Sequence, residues 1–144
     1  MTVFFSKKCE LALQAVLFLS IQPKGQLFGS GEIAQRMNLP KEFVSKSLQT
    51  LTKTGIIGSK KGKTGGFFLA KNPKAVRLID IVQAIDGLDI FHECVLGFYG
   101  CSDENPCPVH NKWGSLRTDT QKMLTEQTLD ELRDFTKRKI DSIK

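Results

Sequence analysis

The chain has 144 residues, 40% of them hydrophobic and 25% charged, with a formal net charge of +6. That length suits one ordinary domain with a single core, and the composition is that of a globular protein, which excludes collagen-like, disordered and membrane-spanning classes. Ten of the basic residues fall between Arg36 and Arg77 beside a single acid, Glu42, the one-sided distribution expected of a face that meets a polyanion.

The N-terminus carries no expected secretory signal or membrane anchor. Met1–Phe5 lacks basic residues, and the run Leu11–Ile21 is broken by Gln14 and Ser20. It is also shorter than the ~20 apolar residues that span a bilayer. A cytoplasmic location follows. The first helix is expected over Ser6–Leu19, with Leu11, Ala12, Ala15, Val16, Phe18 and Leu19 covering more than one face, so it is buried. Gln22-Pro23-Lys24-Gly25 ends it.

A short second helix is expected over Gly31–Met37, capped by Ser30, with Ile33 and Met37 on one face. Asn38-Leu39 links it to a third helix that starts at Pro40, in a favoured first position, and runs to Thr54 before Gly55. Val44, Leu48 and Leu51 form its inward stripe, while Glu42, Ser45, Lys46, Gln49 and Lys53 face outward. Two helices joined by a tight turn, the second with a polar, basic outer face, make the helix-turn-helix pattern. The segment Ile56–Leu69 then reads as a β-hairpin whose Gly-rich turn carries Lys60, Lys61 and Lys63. Placed directly after a helix-turn-helix it is a wing, with lysines set to reach phosphates.

Asn72-Pro73 breaks the chain, and Leu78, Ile81, Val82 and Ile85 mark an amphipathic helix closed by Gly87. A cysteine-bearing loop follows, then two helices. The first aligns Trp113, Leu116, Thr120 and Met123, with Leu124 beside them. The second starts at Thr128, which makes a capping box with Glu131, and continues through Leu129, Leu132, Phe135, Ile140 and Ile143. This exceeds the apolar surface a small wing domain needs, so a two-fold dimer seam is expected.

Of four cysteines, Cys94, Cys101 and Cys107 lie within fourteen residues in a C-x6-C-x5-C pattern, and His110 follows as C-x2-H. With no sign of secretion, metal or redox chemistry is the reading rather than disulfides. Soft thiolates suit iron–sulfur clusters; three cysteines and a histidine also suit structural zinc. His92 reads as an ordinary loop residue.

Taken together, these segments resemble the bacterial Rrf-type winged-helix transcriptional regulators, the group that includes IscR, NsrR and CymR. The resemblance rests on Glu10-Leu11-Ala12-Leu13, Glu32-Ile33-Ala34 with Leu39-Pro40, and Leu51-Thr52-Lys53-Thr54-Gly55-Ile56-Ile57. It continues through Lys61–Ala70 and Leu78–Gly87, and Cys94–Trp113 fits the family's cluster loop. It implies a homodimer on palindromic double-stranded promoter DNA. Ser45 and Lys46 then stand where the recognition helix meets base edges, although many members carry Glu-Gln there. Lys61 falls where a wing side chain enters the minor groove.

The family's usual cluster spacing is C-x5-C-x5-C, so the loop here is one residue longer in its first half. Candidates for a fourth ligand are Glu10, His110 and Cys9. Glu10, which some members supply from the partner subunit, is slightly preferred over His110.

The expected fold is mostly α with a small β-hairpin wing. It divides into a winged helix-turn-helix (1–87), a cluster loop (88–110) and C-terminal dimerisation helices (111–144). The expected function is a non-enzymatic regulator, a repressor, whose DNA affinity follows an iron–sulfur cluster (2Fe–2S or 4Fe–4S) sensing redox state, nitric oxide or cluster status. Ser45, Lys46, Gln49, Lys53, Lys60, Lys61 and Lys63 are its DNA contacts, and Cys94, Cys101, Cys107, Glu10 and His110 its metal candidates. The alternative is a zinc-bearing or cluster-free regulator of the same fold controlled by a metabolic-enzyme partner. A thiol-redox enzyme ranks low because C-x-x-C is missing.

Overall fold

A computed structural model describes residues 4–143. In chain order the elements are α1 (Lys7–Ser20), α2 (Ser30–Met37), α3 (Lys41–Thr52), β1 (Ile57–Lys60), β2 (Gly66–Leu69), α4 (Leu78–Ile85), α5 (His110–Thr125) and α6 (Arg133–Asp141). Among the described residues no helix is long and apolar enough to cross a membrane.

The first helix is the axis of the molecule. Leu11, Ala12, Ala15, Val16 and Phe18 are all fully buried, and α1 packs against α2, α3, α4, α6 and β2. Its start is fixed from two sides. Ser6 Oγ accepts from Cys9 N–H at 3.1 Å, and Ser6 donates through N–H and Oγ to the Asp86 carboxylate at 2.8 and 2.5 Å. That carboxylate lies at the C-cap of α4, so one side chain ties the ends of two helices.

The helix-turn-helix closes through Asn38. It adopts the left-handed conformation (φ 56°), which Asn tolerates better than most side chains. Leu39 N–H then reaches back to Ala34 O at 2.8 Å. Val44, Leu48 and Leu51 are buried as the pattern requires. Two bonds absent from that pattern hold α3 in place. Ser47 Oγ donates to Lys8 O at 3.1 Å, and Lys8 Nζ to Thr50 Oγ1 at 2.9 Å. Phe18 and Phe28 meet edge to face at 5.1 Å, and the Arg36 guanidinium lies over both rings.

Several boundaries differ from the expectation. Ser30 is the first residue of α2 rather than its cap; Gly29 holds the cap position without a side-chain bond. Pro40 is the cap of α3, not its first residue, and the helix ends at Thr52 because the chain turns through 53–55 toward Gly55 at φ 80°. Thr128 and Glu131 do bond reciprocally, but the helix proper begins only at Arg133. Thr128–Asp130 is diverted because Leu129 and Asp130 N–H pair with Val76 O and Pro73 O. On α6 the inward residue is therefore Thr136, with Ile140 and, just beyond the helix, Ile143 packed on the core, and Phe135 is exposed. On α5, Trp113 and Leu124 are buried whereas Leu116 and Met123 face outward.

The wing pairs Ile57 with Leu69 and Lys60 with Gly66, antiparallel. A third segment joins it, since Phe28 and Phe67 exchange both backbone bonds at 3.0 and 2.7 Å. Gly66 makes this possible. Its φ is 152°, and a Cβ there would stand 2.7 Å from the Phe28 carbonyl. Gly66→Ala is expected to lower stability by about 1–3 kcal/mol, read from urea denaturation. An unchanged midpoint would show that the strand of Phe28 does not depend on that close approach.

Candidate functional site

Two surfaces carry the candidate functional side chains. The first is the outer side of α3 with the wing. Lys46, Gln49 and Lys53 are exposed along α3, and Lys60, Lys61 and Lys63 are exposed on the hairpin. Ser45 is half-buried and accepts from Gln49 Nε2 at 3.3 Å, which positions two polar side chains one helical turn apart. No carboxylate pairs with these lysines among the described residues, so their charge projects outward. Hairpin and helix are set by the same packing, because β1 leaves α3 directly and its Ile57 is buried in the core.

The second surface is the loop between α4 and α5. The Sγ atoms of Cys94, Cys101 and Cys107 lie within 4.8 Å of one another, with Cys94 and Cys107 at 3.6 Å. His110, the first residue of α5, brings Nδ1 to 3.2 Å from Cys101 Sγ, while its Nε2 meets the Asp103 carboxylate at 2.8 Å. A carboxylate acceptor favours the Nε2–H tautomer and leaves the Nδ1 lone pair facing the sulfurs. Gly97 and Gly100, in the longer first half of the loop, both adopt positive φ (78° and 69°).

Two ligands on one tetrahedral ion with ~2.3 Å metal–sulfur bonds stand about 3.8 Å apart, close to the 3.6 Å between Cys94 and Cys107, and the third thiol lies within 4.8 Å of both. A cluster spreads its thiolates over several irons and needs the loop to open somewhat; the two positive-φ glycines are where it can do so.

The remaining sequence candidates lie elsewhere. Glu10 is on the first turn of α1, 3.9 Å from Lys7 Nζ, and is not among the residues lining the cysteine pocket of its own chain. Cys9 is fully buried with Ile79, Val82, Phe91 and Leu124. Burial, then the Asp86 carboxylate, pushes its thiol up to about 12; it packs as a small apolar residue. His92, read as a plain loop residue, lies at the pocket's edge. Three residues escaped the sequence reading: Asp103, Trp113 as a donor, and Arg117. Trp113 Nε1 bonds Glu93 O at 2.8 Å, and Arg117 Nη1 bonds Phe91 O at 3.0 Å. Only the helical spacing of Trp113 and Arg117 from His110 could have placed those two toward the loop.

A helix-turn-helix followed by a two-stranded wing defines a winged-helix transcriptional regulator. The chain belongs to the Rrf2 family: residues 5–134 match it, and the family is described as iron-dependent transcriptional regulators. It is 33% identical over 132 residues to a helix-turn-helix transcriptional regulator of Aquifex aeolicus, covering 90% of this chain and 91% of that one. IscR of Yersinia pseudotuberculosis is 25% identical over 127 residues, covering 88% and 77%. The fold is similar to that of CymR, the global cysteine regulator of B. subtilis, with a TM-score of 0.72 at 23% identity, covering 91% and 96%. It is similar as well to T. potens IscR, with a TM-score of 0.68 at 21% identity, covering 89% and 84%. The chain is thus a regulator and not an enzyme.

The thiols of the triad differ from one another. Partial desolvation pushes Cys94 up, but donors from the Phe98 and Leu96 backbone and from Cys107 and Cys101 outweigh it and bring the thiol down to about 7. Desolvation, with Cys94 and Cys101 close by, raises Cys107. In metal-free, reduced protein, iodoacetamide is expected to label Cys94 ahead of Cys107, with labelling falling as pH drops through about 7 because the thiolate is the nucleophile. Cys9 stays unlabelled until the protein unfolds. Peptide mass spectrometry reads the order, and Cys107 labelled first would contradict it.

Proposed function

We propose that this chain is a cytoplasmic, homodimeric, DNA-binding repressor whose affinity for promoter DNA follows an iron–sulfur cluster held by Cys94, Cys101, Cys107 and His110. The observation that carries the reading is the convergence of three thiols within 4.8 Å with His110 beside Cys101, in a family described as iron-dependent. Residues 1–87 serve as the DNA-binding unit, 88–110 as the cluster loop and 111–144 as the dimerisation helices. Exposed Leu116, Met123 and Phe135 are the apolar side chains that a second copy covers. Glu10 acts as a ligand on this reading only if that second copy presents it.

When bound, the cluster supplies a redox- and nitric-oxide-sensitive group whose state alters the charge and spacing of its sulfur ligands. The chain's own residues convey that alteration. Trp113 and Arg117 tie α5 to the backbone at Glu93 and Phe91, and Phe91 packs with Ile79 and Val82 of α4. Ile81 of the same helix is in the main core with Leu48 and Leu51 of α3. A shift at the loop thereby reaches the recognition helix, and with two copies the spacing of two half-sites.

On the DNA side, Ser45 and Lys46 stand where the recognition helix meets base edges, with Gln49 on the same face; Lys46, Lys53, Lys60 and Lys63 contact phosphates and Lys61 enters the minor groove. A second reading is a single zinc ion, favoured by a Cys94–Cys107 spacing of 3.6 Å, close to that of two ligands on one tetrahedral ion. Anaerobic purification with iron, sulfide and zinc analysis separates the two: iron with acid-labile sulfide supports the cluster, and one zinc per chain replaces it. For the DNA surface, Lys46→Glu and Lys61→Glu are each expected to weaken promoter binding at least tenfold. Neutral Lys46→Gln should reduce the logarithmic salt slope by about 1 per phosphate contact. Unchanged promoter occupancy in both charge reversals would end the DNA assignment.

A further inference from the structure

Arg117 stands three helical positions beyond Gly114 on the face of α5 that meets the cysteine loop. It shares the wall of the cysteine pocket with Cys94, Cys101, Cys107, His110 and Trp113. Its Nη1 is engaged by Phe91 O at 3.0 Å. Its Nε is buried and has no hydrogen-bond acceptor among the described residues. A buried donor on a charged group without an acceptor is costly and rare in folded proteins. Asp103 and Asp119 border the adjoining depression with Arg117, yet neither comes within ion-pair distance of it among the described residues. A cation is therefore held at the sulfur pocket with part of its hydrogen-bonding capacity unused by the protein.

The pocket's own chemistry supplies what this group lacks. Three thiolates and a neutral imidazole around a divalent ion leave one net negative charge, and thiolate sulfurs keep lone pairs for N–H donors after binding a metal. We infer that Arg117 is the counter-cation of the sulfur centre, directing its guanidinium N–H toward the metal-bound thiolates while anchoring the loop at Phe91. This rests on the single-ion reading of the metal site given above and adds to it a positioning residue that sets the charge around the sulfurs. The role is distinct from the Phe91 tether. A tether needs one donor of the right reach, whereas a counter-cation needs the charge.

Arg117→Gln separates the two, because glutamine keeps an N–H donor for Phe91 O and loses the charge; Arg117→Lys keeps the charge. The probe is Co2+ titrated anaerobically into metal-free, reduced full-length protein, with affinity taken from competition with a chelator. The wild type is expected to bind one Co2+ with thiolate-to-cobalt charge-transfer absorption. Arg117→Gln should bind about tenfold more weakly, the range seen for groups just outside a metal's ligands. Its charge-transfer band should move to lower energy, since removing a positive charge raises the sulfur donor orbitals. Arg117→Lys should restore the band position. Far-ultraviolet circular dichroism of the metal-free variants checks the fold; should Arg117→Gln not fold, Arg117→Met takes its place with the same band shift expected. A band that stays in place in the charge-neutral variant overturns the counter-cation role while leaving the metal site standing. A wild type without any thiolate-to-cobalt band overturns the metal site and this role with it.

Discussion

Burial of α1 on almost every side is the constraint on which the rest depends. Its middle offers only small or apolar side chains inward, and Leu11, Ala12, Ala15, Val16 and Phe18 are without solvent contact. Each large apolar side chain so buried contributes roughly 1.5–3 kcal/mol, more than surface ion pairs supply. With α1 surrounded, α2, α3, α4 and α6 have fixed places around it. The basic outer side of α3 is then a consequence of packing. Once Val44, Ser47, Leu48 and Leu51 face α1, Lys46, Gln49 and Lys53 have only solvent left to face.

The same helix binds the cysteine half to the DNA-facing half. Its first turn places Cys9 in the smaller apolar cluster with Ile79, Val82, Phe91 and Leu124, while Leu13 touches both clusters. Helix α4 lies between them, with Ile81 on one side and Ile79 and Val82 on the other. The loop that holds the three thiols is irregular, but its two ends are not loose. Phe91 is buried before Cys94, and Trp113 is buried after Cys107. Between these anchors Val95, Leu96, Phe98 and Tyr99 are exposed.

Much of this architecture was legible because periodicity reports burial. The inward stripe of α3, the hairpin with its glycines, the amphipathic α4 and the C-x6-C-x5-C run follow from spacing alone, and the helix-turn-helix with wing followed from them. Boundaries were less legible where long-range backbone bonds decide them. Thr128 and Glu131 make their local motif, yet the pairing of Leu129 with Val76 delays α6 to Arg133. That shift of phase turns Phe135 outward and Thr136 inward, which no local pattern announces. At the site, the three cysteines and His110 were visible as residue types with metal-ligand spacing. Asp103, Trp113 and Arg117 were not, because a second layer of support acts through tertiary geometry and has no spacing rule of its own.

The magnitudes at the loop bear on how a metal site on α5 could influence α3. A tenfold change in DNA affinity corresponds to about 1.4 kcal/mol between two states. A single hydrogen bond contributes about 0.5–1.5 kcal/mol net, and somewhat more when one partner is charged. Trp113 to Glu93 O and Arg117 to Phe91 O are two such bonds, one of them from a guanidinium. Remaking or breaking this pair is therefore of the right size to shift an operator equilibrium, without any rearrangement of the core around α1. Larger effects call for a second copy, because two recognition helices must match two half-sites and a displacement shared by both counts twice. On the proposed reading, a sensor built this way would leave its stable core untouched and draw its response from bonds weak enough to be exchanged.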